Sequence, residues 1–200
     1  MEFGLSKEHE MLKKLYAEFA EKEVEPIAAE IDEEERFPRE TVDKMVAMEM
    51  MGIPFSKEFG GAGGDNLAYA MAVEELSRKC ATTGVILSAH TSLGAAPIDA
   101  YGTQEQKEKF LVPLAKGEKL GAFGLTEPNA GTDAAGQQTT AVLDEETGEY
   151  VLNGSKIFIT NAGEAQIYII MAMTDQSQGT RGISAFIVES DTPGFSVGPL

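Results

Sequence analysis

The stretch "GLTEPNAGTDAAG", residues 124–136, sets two acids, Glu127 and Asp133, among glycines and threonines. Small residues of this kind leave main-chain N–H groups and hydroxyls open, which suits an anion or a flat polar ring. A second stretch, "KIFITNAGE" at residues 156–164, has the same character. Each reads as a strand that opens into a small-residue loop, so that strand-end hydroxyls face a shared cleft. A purely structural reading stands beside this one. In it Gly131, Gly136 and Gly163 permit tight turns, and Asn129 and Asp133 cap them locally.

Other catalytic constellations are missing from the sequence. The two histidines are His9, on a polar helix, and His90, inside a long uncharged run. Neither is spaced from Cys80 as a thiol–imidazole pair would be. Cys80 belongs to an apolar helical face, where a thiol is inert, and His90 reads as a hydrogen-bonded core residue. With no Cys/His cluster there is no expected metal site.

Composition narrows the partners. Against 33 Asp and Glu stand 16 Lys and Arg, a formal charge of −17 in 200 residues. Such a surface repels phosphate backbones and anionic lipid, so neither nucleic acid nor a membrane is an expected partner. An anionic ligand must be held locally by N–H groups, hydroxyls or a few cations. One cysteine forms no internal disulfide, which fits a reducing, cytoplasmic setting. The start, "MEFGLSKEHEMLKKLYAEF", breaks its apolar positions with charges and does not read as a targeting segment. The run from Cys80 to Ile98 has spanning length, but its Thr, Ser, His, Gly and Pro mark a buried helix of a soluble fold.

The elements that must position these loops follow from periodicity. Up to about residue 118 the spacing is helical. Leu12, Leu15, Tyr16 and Phe19 form a first stripe, interrupted by Pro26. Val42, Met45 and Val46 form a second, stopped by Gly52 and Pro54. Asp65 or Asn66 caps a third helix with Tyr69, Val73, Leu76 and Cys80 inside. The fourth is the Cys80 to Ile98 run, capped by Thr82 or Thr83, and Thr103 with Gln106 makes a capping box for a fifth that holds Phe110, Leu111 and Leu114. After Gly117 the runs "KLGAFGLT", "QQTTAVLD", "EYVLNGSKIFITN", "QIYIIMAMTD" and "GISAFIVES" read as strands, with "DEETGEY" as a hairpin turn. Helices first and strands second predict α+β: an N-terminal all-helical domain over 1–118 and a mainly antiparallel, incomplete β-domain over 119–200. The sheet is expected to continue past Leu200.

"GAFGLTEPNAGTDAAGQ" followed by "NGSKIFITNAGEAQIYIIMAMTD" resembles the paired signature of the acyl-CoA dehydrogenases, flavoenzymes that oxidise acyl-CoA thioesters to 2-enoyl-CoA. The resemblance extends through "GIPFSKEFGGAGGDNLAYAMAVEELSR", "TSLG", "GISAFIVE" and "TPGF", and so covers almost the whole chain. "ILSAHTSLGAAPI" is most similar to the short-chain, butyryl-CoA-oxidising members of anaerobic bacteria.

The resemblance implies FAD as cofactor. A flavin that accepts hydride at N5 gathers negative charge over N1 and the C2 carbonyl, where fixed donors stabilise it. Thr126 matches the position that serves the pyrimidine end, and Thr160 the residue beside N5. Phe158 stands where the family often has Trp against the ring, and Ile159 lies between them. With Phe123, Leu125, Gly131 and Thr132 these make the expected cofactor contacts. Thr132 also matches a hydroxyl that touches the CoA portion of the substrate. Leu87, His90 and Thr91 are candidates for the floor of the acyl pocket.

No catalytic residue is expected within the chain. Glu127 sets its loop, and the general base is implied to be a Glu in a C-terminal helical bundle beyond Leu200. The complete enzyme is implied to be a homo-oligomer, a tetramer, that passes electrons to an electron-transfer flavoprotein. Competing readings are an acyl-CoA oxidase, a glutaryl-type dehydrogenase, or a non-catalytic acyl-CoA or interaction module. The Val85 to Leu93 stretch offers no Arg or Lys for a second carboxylate, which counts against the glutaryl type.

Overall fold

The computed structural model describes residues 4–198. Two compact units divide after Lys119. In the helical unit, α1 (Lys7–Phe19) begins at Ser6, whose hydroxyl accepts the His9 N–H. Tyr16 and Phe19 are buried as the spacing predicts, while Leu12 is half-buried and Leu15 is exposed. The buried ridge runs instead through Ala20 and Val24.

Pro26 does not interrupt this helix. The chain winds through one wide turn, Ala20–Val24, and continues as α2 (Glu25–Glu33) with Pro26 in its first turn. Proline lacks an N–H, and its ring collides with the carbonyl four residues back; widening the preceding turn makes room. The second helix, α3 (Arg39–Ala47), ends ahead of the expected Gly52, where Glu49 turns left-handed at φ 56°.

Asp65 caps α4 (Asn66–Lys79), accepting the Ala68 N–H at 2.8 Å. Leu76 and Cys80 are buried as expected, Tyr69 and Val73 only half so, and Met71 and Ala72 complete the inner face. The next helix, α5 (Ala81–Ser88), packs so closely that a Cβ on Gly84 would collide with Ser77 Oγ. Neither Thr82 nor Thr83 caps it; the helix starts straight from Cys80, and Thr83 Oγ1 is buried without a hydrogen-bond partner among the described residues. The wide turn recurs at Ala89–Ala95, ahead of Pro97 in α6 (Ala96–Tyr101). It recurs again at Lys107–Leu111, between the short α7 (Gln104–Gln106) and α8 (Val112–Ala115), which carries Pro113. Thr103 and Gln106 exchange both bonds of the capping box ahead of α7. Leu111 and Leu114 are fully buried, and Phe110 is half-buried.

The β unit holds β1 (Gly121–Gly124), β2 (Thr140–Asp144), β3 (Glu149–Asn153), β4 (Ile167–Met173) and β5 (Ile183–Glu189) in one sheet. The apolar β4 is its spine. One edge of β4 pairs with β5 over its whole length; the other pairs with β1 and then, at Met173, with Thr140 of β2. The hairpin predicted at "DEETGEY" joins β2 to β3.

Two expectations need correction. The sheet is antiparallel only in part: β2–β3 and β4–β5 are antiparallel, but β1–β4 and β2–β4 are parallel. The cause is the path between β3 and β4. "EYVLNGSKIFITN" is not one strand, because β3 stops at Asn153 and the left-handed backbone at Phe158 (φ 56°) and Asn161 (φ 69°) excludes β structure. That irregular segment runs back beside β1. Ile157 N–H donates to Thr126 O at 2.8 Å, Asn161 Nδ2 to Gly121 O at 3.1 Å, and Gln166 N–H to Leu120 O at 3.0 Å. The chain therefore enters β4 from the same end as β1. Among the described residues no helix is long and apolar enough to cross a membrane.

Candidate functional site

The two small-residue stretches meet on the main chain. Thr126 lies two residues past the end of β1, and its carbonyl accepts the Ile157 N–H. Thr160 is not on a strand end, as the sequence reading has it. It sits on the returning segment, between the left-handed Phe158 and Asn161. Residues 157 and 160 are separated by at most about 10 Å of chain.

Behind this junction is a sealed ion pair. Lys156 Nζ lies 2.7 Å from Glu127 Oε1, and the two side chains are 7% and 5% exposed. The same ammonium donates to Leu125 O at 3.1 Å and to Gln137 Oε1 at 3.0 Å, so its three N–H bonds are all used. Glu127 also accepts the N–H groups of Gln138 at 2.5 Å and Thr139 at 2.9 Å. Close by, Gly154 passes Thr139 where a Cβ would collide with Oγ1. The segment that carries Lys156 can approach only because residue 154 has no side chain.

Burial alone would raise the Glu127 pKa. Hydrogen bonds from the Gln138 N–H, from Lys156 and from Thr139 outweigh it and bring the value down to about 2. A carboxylate so held accepts no proton near neutrality. Glu127 is thus an anchor for its loop and not a general base.

The sequence-predicted contacts distribute unevenly. Phe123, Leu125, Thr126, Ile159 and Thr160 are half-buried, and Gly131 and Thr132 are exposed. The Phe158 ring is 89% exposed on a strained backbone. In the helical unit Leu87, His90 and Thr91 are all buried, so they form interior and not an open pocket floor. Their polar atoms are spent on the main chain: His90 Nε2 donates to Leu114 O at 3.1 Å and Thr91 Oγ1 to Met51 O at 3.4 Å. Burial lowers the His90 pKa to about 4, against the opposing pull of the Leu114 and Met51 backbone.

Comparison with known proteins now bears on this arrangement. The domain described as "Acyl-CoA dehydrogenase, N-terminal domain" matches residues 6–118, and "Acyl-CoA dehydrogenase, middle domain" matches residues 122–200. The chain belongs to the acyl-CoA dehydrogenase family. A relative from Clostridium acetobutylicum, "Acyl-CoA dehydrogenase, short-chain specific", is 65% identical over all of this chain and 52% of its own length. The solved butyryl-CoA dehydrogenase of Megasphaera elsdenii superposes with a TM-score of 0.93 at 51% identity, over 98% of this chain and 52% of that one. An acyl-CoA dehydrogenase from Bacillus anthracis, solved in complex with FAD, gives 0.89 at 38% identity, over 98% of this chain and 33% of that one. The chain spans about half the length of the curated relatives it matches.

The residues present fit a flavin. Its ring system has an apolar face and a polar rim, and the β unit sets an uncovered aromatic ring, Phe158, beside the half-buried hydroxyl residues Thr126 and Thr160. Three members of the site escape a sequence reading: Lys156, Gln137 and Asn161. Lys156 carried a signal, being the one charge in the uncharged stretch from Val151 to Gly163.

Proposed function

We propose that this chain supplies the helical portion and the flavin-facing β portion of an FAD-dependent short-chain acyl-CoA dehydrogenase, which oxidises butyryl-CoA-like thioesters to 2-enoyl-CoA. One observation carries the reading: the Ile157 to Thr126 hydrogen bond, which lays the two hydroxyl-bearing segments side by side next to exposed Phe158. When bound, the flavin supplies hydride acceptance. The chain's part is to bind and orient. Thr126 and Thr160 donate to the polar rim, Phe158 covers the ring, and Thr132 contacts the CoA portion from its exposed loop.

The proton abstracted from the substrate goes to a base outside these residues; Glu127 does not serve, because its pKa is held down to about 2 and its oxygens are taken by Lys156, Gln138 and Thr139. Leu87, His90 and Thr91 act on the acyl pocket only as packing behind whatever lines it. Electrons pass to an electron-transfer flavoprotein, and the complete enzyme is a cytoplasmic homo-oligomer, in keeping with the lone buried thiol Cys80.

The test is spectroscopic. Purified full-length protein should carry yellow flavin that bleaches on anaerobic addition of butyryl-CoA and recovers its colour with an electron-transfer flavoprotein. Flavin that stays oxidised with butyryl-CoA but bleaches with octanoyl-CoA would remove the short-chain assignment. Protein that binds neither FAD nor acyl-CoA would remove the enzyme reading altogether.

A further inference from the structure

Lys156 and Glu127 do more than neutralise each other. Lys156 bonds to three places that are distant in sequence: Leu125 O, just ahead of Thr126; Glu127 Oε1, just after it; and Gln137 Oε1, on the approach to β2. Its neighbour Ile157 holds the carbonyl of Thr126 itself. The carbonyls of Leu125 and Thr126 and the carboxylate of Glu127 therefore each have a donor from residues 156–157. Glu127 in turn fixes the N–H groups of Gln138 and Thr139. One buried ammonium thus sets the register between the two segments that bear the hydroxyls.

We propose that Lys156 is a positioning residue for the cofactor site: through Glu127 and Leu125 it locks Thr126 against the segment carrying Phe158 and Thr160, and FAD is held tightly only in that locked register. The inference rests on the flavin reading above. Its geometric half, the lock itself, stands independently of any ligand. A slipped register would leave every hydroxyl present yet displaced, and a displacement of about 1 Å is enough to lose a preorganised site.

The experiment uses the full-length protein, with apoprotein titrated by FAD. Lys156→Met keeps most of the unbranched side chain and removes its charge. It should bind FAD at least about tenfold more weakly and blur the fine structure of the bound flavin's visible band, with native helix content retained. Met45→Ala, a cavity in the buried core of the helical unit, is the control for general destabilisation. It should leave FAD affinity within about threefold of the wild type. Equal weakening by both variants, or unchanged affinity and spectrum in Lys156→Met, overturns the positioning role.

Should Lys156→Met not fold, amide exchange on the wild type decides. The Ile157, Gln138 and Thr139 protons should exchange in one shared opening that FAD slows by about tenfold or more. Separate exchange of Ile157 at loop rates overturns the lock. Failure of the wild type to take up FAD at all overturns the cofactor reading, and that outcome is distinct from the other two.

Discussion

Among the titratable groups that the two units bury, His90 and Glu127 end in opposite charge states. His90 in the helical unit and Glu127 in the β unit are 0% and 5% exposed. Desolvation penalises the charged form of both. His90 is met by the neutral backbone of Leu114 and Met51, so burial wins and its pKa falls to about 4. Glu127 meets two backbone N–H groups and a full positive charge, so burial loses and the carboxylate persists to about pH 2. Burial sets the stakes, and the number and charge of the partners decide the outcome.

The sharpest way to break this contrast is to remove the cation. Lys156→Met leaves Glu127 buried with only its two N–H partners, and should cost about 3–5 kcal/mol of stability by urea unfolding at pH 7. A loss under about 1 kcal/mol would mean that water reaches the carboxylate, and the pair would then count as a surface salt bridge.

Acid separates the two groups next. Each has a folded pKa below its unfolded one, so each contributes stability that is complete above the unfolded value and is lost as pH falls toward the folded value. For His90 the window runs from about 6.5 down to about 4, and for Glu127 from about 4.5 down to about 2. Each shift amounts to roughly 3 kcal/mol at its acid end. Unfolding free energy measured at pH 7, 5 and 3 should therefore fall first through the helical unit and later through the β unit. His90→Gln should flatten the upper slope alone, and Glu127→Gln the lower slope alone. An upper slope that survives His90→Gln would place the titration on some other group.

These two groups also mark where sequence reading works and where it stops. The helices were legible, since local signals such as Asp65, Thr103 and Gln106 act within one turn of themselves. Helix continuity at Pro26 was not, because a wide turn costs little once tertiary packing supports it. In the β unit the strands were legible except for the tail of "EYVLNGSKIFITN". Its Phe, Ile and Thr carry strand propensity, but the hydrogen bonds to Leu120, Gly121 and Thr126 are long-range and override it. The candidate site followed the same division. Thr126, Phe158 and Thr160 were reached through the resemblance of their motifs, whereas Lys156 and Gln137 matter only through partners 19 to 31 residues away.

Phe158 offers the smallest and most discriminating test of the two units' difference, since, unlike the left-handed Glu35 and Glu49 of the helical unit, it pairs its strain with an exposed aromatic ring. An L-residue in the left-handed region costs about 1–2 kcal/mol, and this one recovers nothing by packing because its ring is 89% exposed. Phe158→Gly relieves the strain, while the freer unfolded chain takes back about 0.4–1 kcal/mol. The apoprotein should therefore gain about 0.5–1 kcal/mol, read as a rise in melting temperature of a few degrees. The same variant should bind FAD several-fold more weakly, because an aromatic ring that stacks or meets edge-on contributes about 0.5–1.5 kcal/mol. Stability and affinity moving in opposite directions is the signature of a residue kept strained for a ligand. If both rise, Phe158 is not a platform for the cofactor; if stability falls, the left-handed turn is held by contacts of the ring itself.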